Sequence, residues 1–334
     1  MRSLFLIFIF SVSVSSRADE GMWLPNLIST MNIDDMQSKG LSLSAEDIYN
    51  VNKSSLKDAV VALSWGSCTG EIISKEGLLL TNHHCADDLI QFHSTTEKDY
   101  LKNGFWAMNK SEELANENLT ASILVRIENV TERVFSKING SGTEDDRRKK
   151  IRAVSNEISN EISDTSHYTS RLKSFYGGNE FYLFIYETFL DVRLVGAPPS
   201  SIGKFGGDTD NWMWPRHTGD FTLLRIYADT NNKPAKYSKE NVPYKPKYHF
   251  KIQLDGVENN DFTMVYGFPG STDRYLTSFG VNQALKLKNK TIIDIRSKKL
   301  EIMKEGMDKD RETYLKYATK YSSVSNYWKY YIGY

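Results

Sequence analysis

The chain has 334 residues, enough for two domains of ordinary size. It carries 42 basic and 42 acidic residues, so the formal net charge is zero and nothing favours nucleic acid or an anionic membrane as partner. Aromatic residues make up 12 %, which supplies a substantial core, and there is no long repeat, Pro- or Ser-rich linker or low-complexity tail.

Residues 1–18 read as a cleavable secretory leader. Arg2 is the charged start, Leu4-Phe5-Leu6-Ile7-Phe8-Ile9-Phe10 the apolar middle, and Ser16-Arg17-Ala18 the end. The apolar middle is far too short to span a bilayer. Export leads to an oxidising compartment, and an even cysteine count there favours a bridge between Cys68 and Cys85. Two free buried thiols are the alternative.

Residues 23–58 read as a helical lead-in, with Pro25 in a first turn and Ser44 capping a later helix. The apolar run 59–63 predicts a buried strand, 70–74 a second, and 78–80 a third after a turn at Gly77. Short strands at this spacing point to a β-barrel or sandwich. Residues 143–176 predict a helical excursion: Thr143 caps an acid-rich start, and Ile151, Val154, Ile158 and Ile162 recur at helical spacing. Strands are expected again at 181–186, 191–195, 221–227 and 262–266. Ile292, Ile295 and Met303, set among lysines and glutamates, then predict a long amphipathic helix. A mostly β unit therefore spans about 59–275, and a helical unit begins near 276. The last ten residues, Ser325 to Tyr334, are dense in aromatics where domain ends are usually polar. They read as the start of something longer; the alternative is a terminal segment that docks its rings onto the core.

Two constellations carry chemistry. The third strand ends in Thr81-Asn82-His83-His84-Cys85, with Cys68 seventeen residues earlier. This arrangement resembles the histidine region of chymotrypsin-like serine peptidases, where a disulfide behind the catalytic base limits its movement. Zinc is disfavoured: His83 and His84 would face opposite sides of a strand, and the paired-cysteine spacings of structural sites are missing. The second constellation is Gly219-Asp220-Phe221-Thr222-Leu223-Leu224, an acid at the mouth of an apolar strand. Such an acid would accept the Nδ1–H of the base. Asp208 and Asp210 are rivals, but they lie in a glycine-rich loop. Their Asp-x-Asp lacks the glycine and distal glutamate of a calcium loop.

Thr81–Cys85 together with the eleven residues Asp210-Asn211-Trp212-Met213-Trp214-Pro215-Arg216-His217-Thr218-Gly219-Asp220 resembles the dipeptidyl-peptidase 7 and 11 family of bacterial exopeptidases. The likeness runs from about Gly21 to the end of the chain and includes Gly267-Phe268-Pro269-Gly270 and Ser325-Asn326-Tyr327-Trp328-Lys329. It implies a mainly β fold with α, a chymotrypsin-like double β-barrel. Only the first barrel would be present, within 19–275, followed by the start of an inserted α-helical domain at 276–334. It implies His84 as general base, Asp220 as its orienting partner, and Asn211, Trp212 and Asn326 as the groups that hold the substrate's free α-amino group. An amide oxygen can accept from an ammonium, and an indole offers it a cation–π face.

The resemblance further implies a secreted enzyme, periplasmic or cell-surface in a bacterium, acting on oligopeptides without cofactor or metal and homodimeric at full length. The nucleophilic serine would lie beyond the end of this chain. Ser67, Ser201 and Ser271 all lack the glycine-flanked pattern of a peptidase nucleophile, so the piece alone is expected to be inactive. Two other readings are a catalytically inactive peptide-binding relative and a metal-dependent hydrolase using His83, His84 and Asp208 or Asp210.

Overall fold

The structure is a computed structural model and describes residues 22–140, 142–271 and 275–334. The leader expected over 1–18 lies outside the described residues. These contain an antiparallel sheet of eleven strands. In chain order they are β1 Val60–Leu63, β2 Cys68–Ile72, β3 Leu78–Thr81, β4 Phe105–Trp106, β5 Leu114–Ala115, β6 Ala121–Asn129, β7 Thr169–Phe175, β8 Glu180–Phe189, β9 Asp191–Ala197, β10 Thr222–Ala228 and β11 Val242–Pro243. Their order across the sheet is β4-β9-β10-β3-β2-β1-β6-β8-β7, with β11 beside β10 and β5 beside β9.

The apolar runs make the central strands. Alternate residues of β1, Val61 and Leu63, join Leu79 of β3, Ile123 of β6, Phe189 of β8, Leu194 of β9 and Leu224 of β10 in one cluster. Strands from both halves of the sheet share that core, so the sheet curls around it. The β2–β3 turn uses Gly77 at φ +63, where a Cβ would lie 2.8 Å from Ile226 O. Glycine removes both the left-handed penalty and the clash.

The lead-in is a series of short helices. Ser44 and Asp47 form a reciprocal capping box at Ala45–Ile48. Ile28, Leu41, Ile48 and Leu56 cluster here, and Phe262 and Tyr266 close over them. Residues 262–266, expected as a strand, enter no ladder. Phe262 and Tyr266 pack against the lead-in helices, Tyr266 Oη donates to Ile48 O at 3.4 Å, and Val265 faces solvent. The aromatic side chains of this segment thus dock onto helices and not into a sheet.

The helical excursion is half right. Thr143 caps Glu144–Thr165 by accepting from Asp146 N–H, and Val154 and Ile158 pack with Val134, Ile138, Phe181 and Ile185. The helix stops at Thr165, however, and Thr169–Phe175 is β7, paired with β8 from Thr169↔Tyr186 to Phe175↔Glu180. The free edge of the long β8 supplies backbone partners that outweigh helix propensity for this segment.

The helical unit begins with Thr277 capping Ser278–Gln283 and continues through Lys290–Met307 and Arg311–Gly333. The buried stripe of the first long helix is Leu300, Met303 and Met307, whereas Ile295, expected on the apolar face, is exposed. The partner helix sets which side is inner: its Val324 lies buried on that side, with Val324 O accepting from Arg296 Nη1 at 3.3 Å, while its Leu315 joins the main core. Arg311 clasps Asp99 through two hydrogen bonds of 2.5 and 2.8 Å, and Gln91 Oε1 accepts from Thr319 N–H at 2.8 Å. Arg311–Gly333 is thereby fixed beside Asp87–Phe92, the helix that follows His84. Among the described residues, no helix is long and apolar enough to cross a membrane.

Candidate active site

The site forms where three neighbouring strands end. β3 lies between β2 and β10, and its last residue Thr81 pairs with Thr222, the first of β10. Asp220 sits two residues before that rung and His84 three residues after it. Antiparallel pairing returns both to the same end of the sheet. His84 Nδ1 is 2.8 Å from Asp220 Oδ2, while the His84 backbone N–H donates to Asp220 Oδ1 at 3.0 Å. Asn82 Nδ2 donates to Asp220 O at 3.1 Å. The carboxylate is thus held by both the ring and the main chain of one residue, which fixes the imidazole's orientation.

The environment divides the pair. Asp220 is largely buried, and His84 keeps 64 % of its side chain exposed. The hydrogen bond to Asp220 holds the His84 imidazolium above its usual pKa, against partial desolvation. Burial works against the Asp220 anion, yet the hydrogen bonds and charge of His84 keep its carboxyl below the usual carboxylate range. With Nδ1 committed to Asp220, Nε2 is left outward. Among the described residues nothing hydrogen-bonds that nitrogen, and Ser67 Oγ donates elsewhere, to Leu63 O at 3.2 Å.

His83 is the structural member of the histidine pair. It is 1 % exposed, with Nε2 3.2 Å from Pro198 O and Nδ1 3.0 Å from Asp87 Oδ1. A single 3₁₀ turn, His83–Cys85, sends the two rings apart. Gly203 packs against the buried ring, where a Cβ would lie 2.2 Å from His83 Cδ2. Behind the turn, Cys68 and Cys85 are joined by a disulfide with Cα atoms 6.1 Å apart. Cys68, Cys85 and His84 bring possible metal donors within 4.8 Å of one another, but both sulfurs are consumed by the bridge and offer no thiolate.

The segment before β10 builds a second cluster. Asn211 Nδ2 donates to Asn326 Oδ1 at 2.9 Å, and Trp212 Nε1 lies 3.1 Å from the same oxygen. Trp212 takes φ +60, uncommon for a residue with a side chain, and its ring stands 5.3 Å from that of Tyr330. Asn326 and Tyr330 both ride on Arg311–Gly333, so the cluster exists only with that helix docked. Asp208 and Asp210 do not approach His84. Lys329 Nζ donates to Asp208 O at 2.6 Å, and Asp210 folds over Gly206, where a Cβ would be 2.1 Å from Asp210 Oδ2.

Two members of this region have no role assigned from sequence. Arg216 Nη1 donates to Asn211 Oδ1 at 3.3 Å, and its charge opposes protonation of His84. Lys329 ties the helix to the loop. Arg216 lies inside the eleven-residue run and was legible there as a cation between two site residues; Lys329 gave no local signal.

The model of the family described as Peptidase S46 matches residues 18–334. The chain belongs to the peptidase S46 family. This S46 chain is 48 % identical over 328 residues to the Asp/Glu-specific dipeptidyl-peptidase of Flavobacterium psychrophilum, covering 98 % of the chain and 46 % of that protein. It is 45 % identical over 318 residues to dipeptidyl-peptidase 7 of Porphyromonas gingivalis, covering 95 % and 44 %. Among solved structures, Porphyromonas endodontalis DPP11 in complex with the dipeptide Arg-Asp superposes with a TM-score of 0.89 at 44 % identity, over 95 % of this chain and 46 % of that one. The S46 chain therefore shares that antiparallel sheet with helices, and it spans a little under half the length of these relatives.

Proposed function

We propose that this S46 chain supplies the general base, its orienting acid and the amine-binding cluster of a secreted serine-type dipeptidyl-peptidase, which releases dipeptides from the free N-terminus of oligopeptides. The observation that carries this is the 2.8 Å contact between His84 Nδ1 and Asp220 Oδ2, with Nε2 left open. Asp220 keeps the proton on Nδ1, so the Nε2 lone pair can take a proton from a nucleophile and later return it to the leaving amine. The imidazolium formed on the way is stabilised by the buried carboxylate. The serine comes from sequence outside these 334 residues, on a second barrel that follows the helical domain.

The Asn211–Trp212–Asn326 cluster holds the substrate's ammonium. Asn211 Oδ1 retains a lone pair beside its long contact with Arg216, and Trp212 offers its ring face. Fixing the amine at a set distance from the scissile carbonyl makes cleavage fall after the second residue. The full-length enzyme is a homodimer of the periplasm or cell surface. The relatives' names and the Arg-Asp complex support a peptide substrate.

The test is made on the full-length protein with dipeptidyl chromogenic substrates and a fluorophosphonate label. Expected are turnover, labelling of one serine, loss of both in His84→Ala, and no cleavage of N-acetylated substrate. A protein that turns over equally well without His84, or that accepts the acetylated substrate, refutes the proposal. A folded protein that binds peptides and takes no label is the inactive peptide-binding relative instead.

A further inference from the structure

We propose that the turn between β1 and β2, with Trp65 capped by Arg171, is the subsite for the part of the substrate that leaves, and that Arg171 and Lys173 receive a carboxylate on that part. The inference rests on the amine-binding role proposed above. β3 carries His84 between β10 and β2. The amine cluster belongs to the segment entering β10, so the substrate's N-terminus lies on the β10 side of the base. A chain that begins there and passes the base continues towards the β2 side. The first structure met on that side is the root of β2, tied to the base by the Cys68–Cys85 bridge.

That root is unusual. Ser64, Trp65 and Gly66 take φ of +43, +64 and +90 in succession, the first two without glycine's freedom. The turn is held in place by Ser64 N–H to Thr120 O and Gly66 N–H to Leu63 O, each 2.9 Å. The result presents the Trp65 indole at the surface, 37 % exposed. Arg171 lies over it with Cζ 4.5 Å from the ring centroid. Phe268 packs beside Gly66 and donates its N–H to Thr69 Oγ1 at 2.8 Å, and its ring stands 6.2 Å from Tyr186. Lys173 Nζ sits 5.4 Å from the next ring, Phe184. The exposed Trp65 ring, Phe268 and the buried Tyr186 and Phe184 rings thus lie in series beneath two cations. Neither Arg171 nor Lys173 has an acidic partner among the described residues. A cation stacked on a ring with no ion pair is suited to a planar anion, which it can meet edge-on while keeping its stacking. Every oligopeptide carries such an anion at its C-terminus.

The experiment uses the full-length protein and one cleavable dipeptide extended by one to four residues, each peptide made as the free acid and as the C-terminal amide. At the best length the free acid is expected to show a kcat/KM about fivefold above the amide. Arg171→Gln should bring that ratio to about one, and Arg171→Lys should restore part of it. Trp65→Ala should lower kcat/KM for acid and amide together, through KM. Equal rates for acid and amide at every length, or an acid preference untouched by Arg171→Gln, overturns the subsite while chromogenic dipeptide turnover leaves the peptidase reading intact. Absence of any turnover removes both.

Discussion

Removing the disulfide behind His84 gives the most direct measure of what holds the candidate base in place. The bridge joins residues 17 apart, and Cys68 packs against the main core. In the chain-entropy account, freeing a loop of that length returns about 3 kcal/mol of conformational freedom to the unfolded chain. Cutting away a partly buried sulfur adds roughly 1 kcal/mol of lost packing. The Cys68→Ala/Cys85→Ala variant is therefore expected to unfold with a free energy about 4 kcal/mol below that of the oxidised protein. The assay is denaturant unfolding followed by tryptophan fluorescence on both proteins without reductant, with the slopes compared. A loss below about 1 kcal/mol at equal slope would refute the reasoning. It would mean that the segment between the cysteines stays ordered when the rest unfolds. A changed slope would place the effect in the denatured state instead.

Other outcomes follow from single contacts. The His84 pKa is raised in the folded protein, so its pairing adds stability that is complete below the unfolded value of about 6.5 and is lost as pH rises through the native value. Asp220 is lowered, so its share is present above about 3.9 and lost as pH falls through its native value. The pair should thus contribute most between about pH 4 and 6.5, and Asp220→Asn should flatten that window and lower the His84 pKa, read by NMR titration of the imidazole. Phe189→Ala, at a fully buried position whose ring lies 4.4 Å from that of Tyr244, should cost about 3–5 kcal/mol in denaturant unfolding. Gly203→Ala should force the His83 ring and the Ser200–Gly203 turn apart at a cost of roughly 1–3 kcal/mol, and unchanged stability would show that the turn yields freely. Arg311→Ala, which leaves the Asp99 carboxylate without its clasp, should cost about 2 kcal/mol and free the helix bearing Asn326 to faster amide exchange.

Strands were legible where burial made them continuously apolar, as at 59–63, 78–80 and 181–186. β6, at Ala121–Asn129, gives no such continuous run: its second half interrupts the apolar residues with Arg126, Glu128 and Asn129 and is only partly buried. β7 is indistinguishable from the end of the preceding helix in sequence, because its strand character comes from the free edge of β8, a partner no local pattern reveals. At 262–266 the reverse holds: an apolar, aromatic segment that reads as a strand docks Phe262 and Tyr266 onto helices instead. At the site, His84 and Asp220 could be proposed from their positions at strand ends, and the structure sets them 2.8 Å apart. Asn326 had no such mark, since a polar residue on a helix reads as solvated. Only docking of Arg311–Gly333 brings it to Asn211 and Trp212.

The four-rung pairing of β3 with β10, from Leu78↔Arg225 to Thr81↔Thr222, has a consequence beyond holding the sheet together. It acts as a ruler for the distance between His84 and Asp220. A slip of one residue would move every side chain of β10 to the opposite face, so the orienting carboxylate would leave the imidazole at the same stroke as Leu224 left the core. One registry therefore both fills the core and sets His84 opposite Asp220, so a slip that separated the pair would also empty the core.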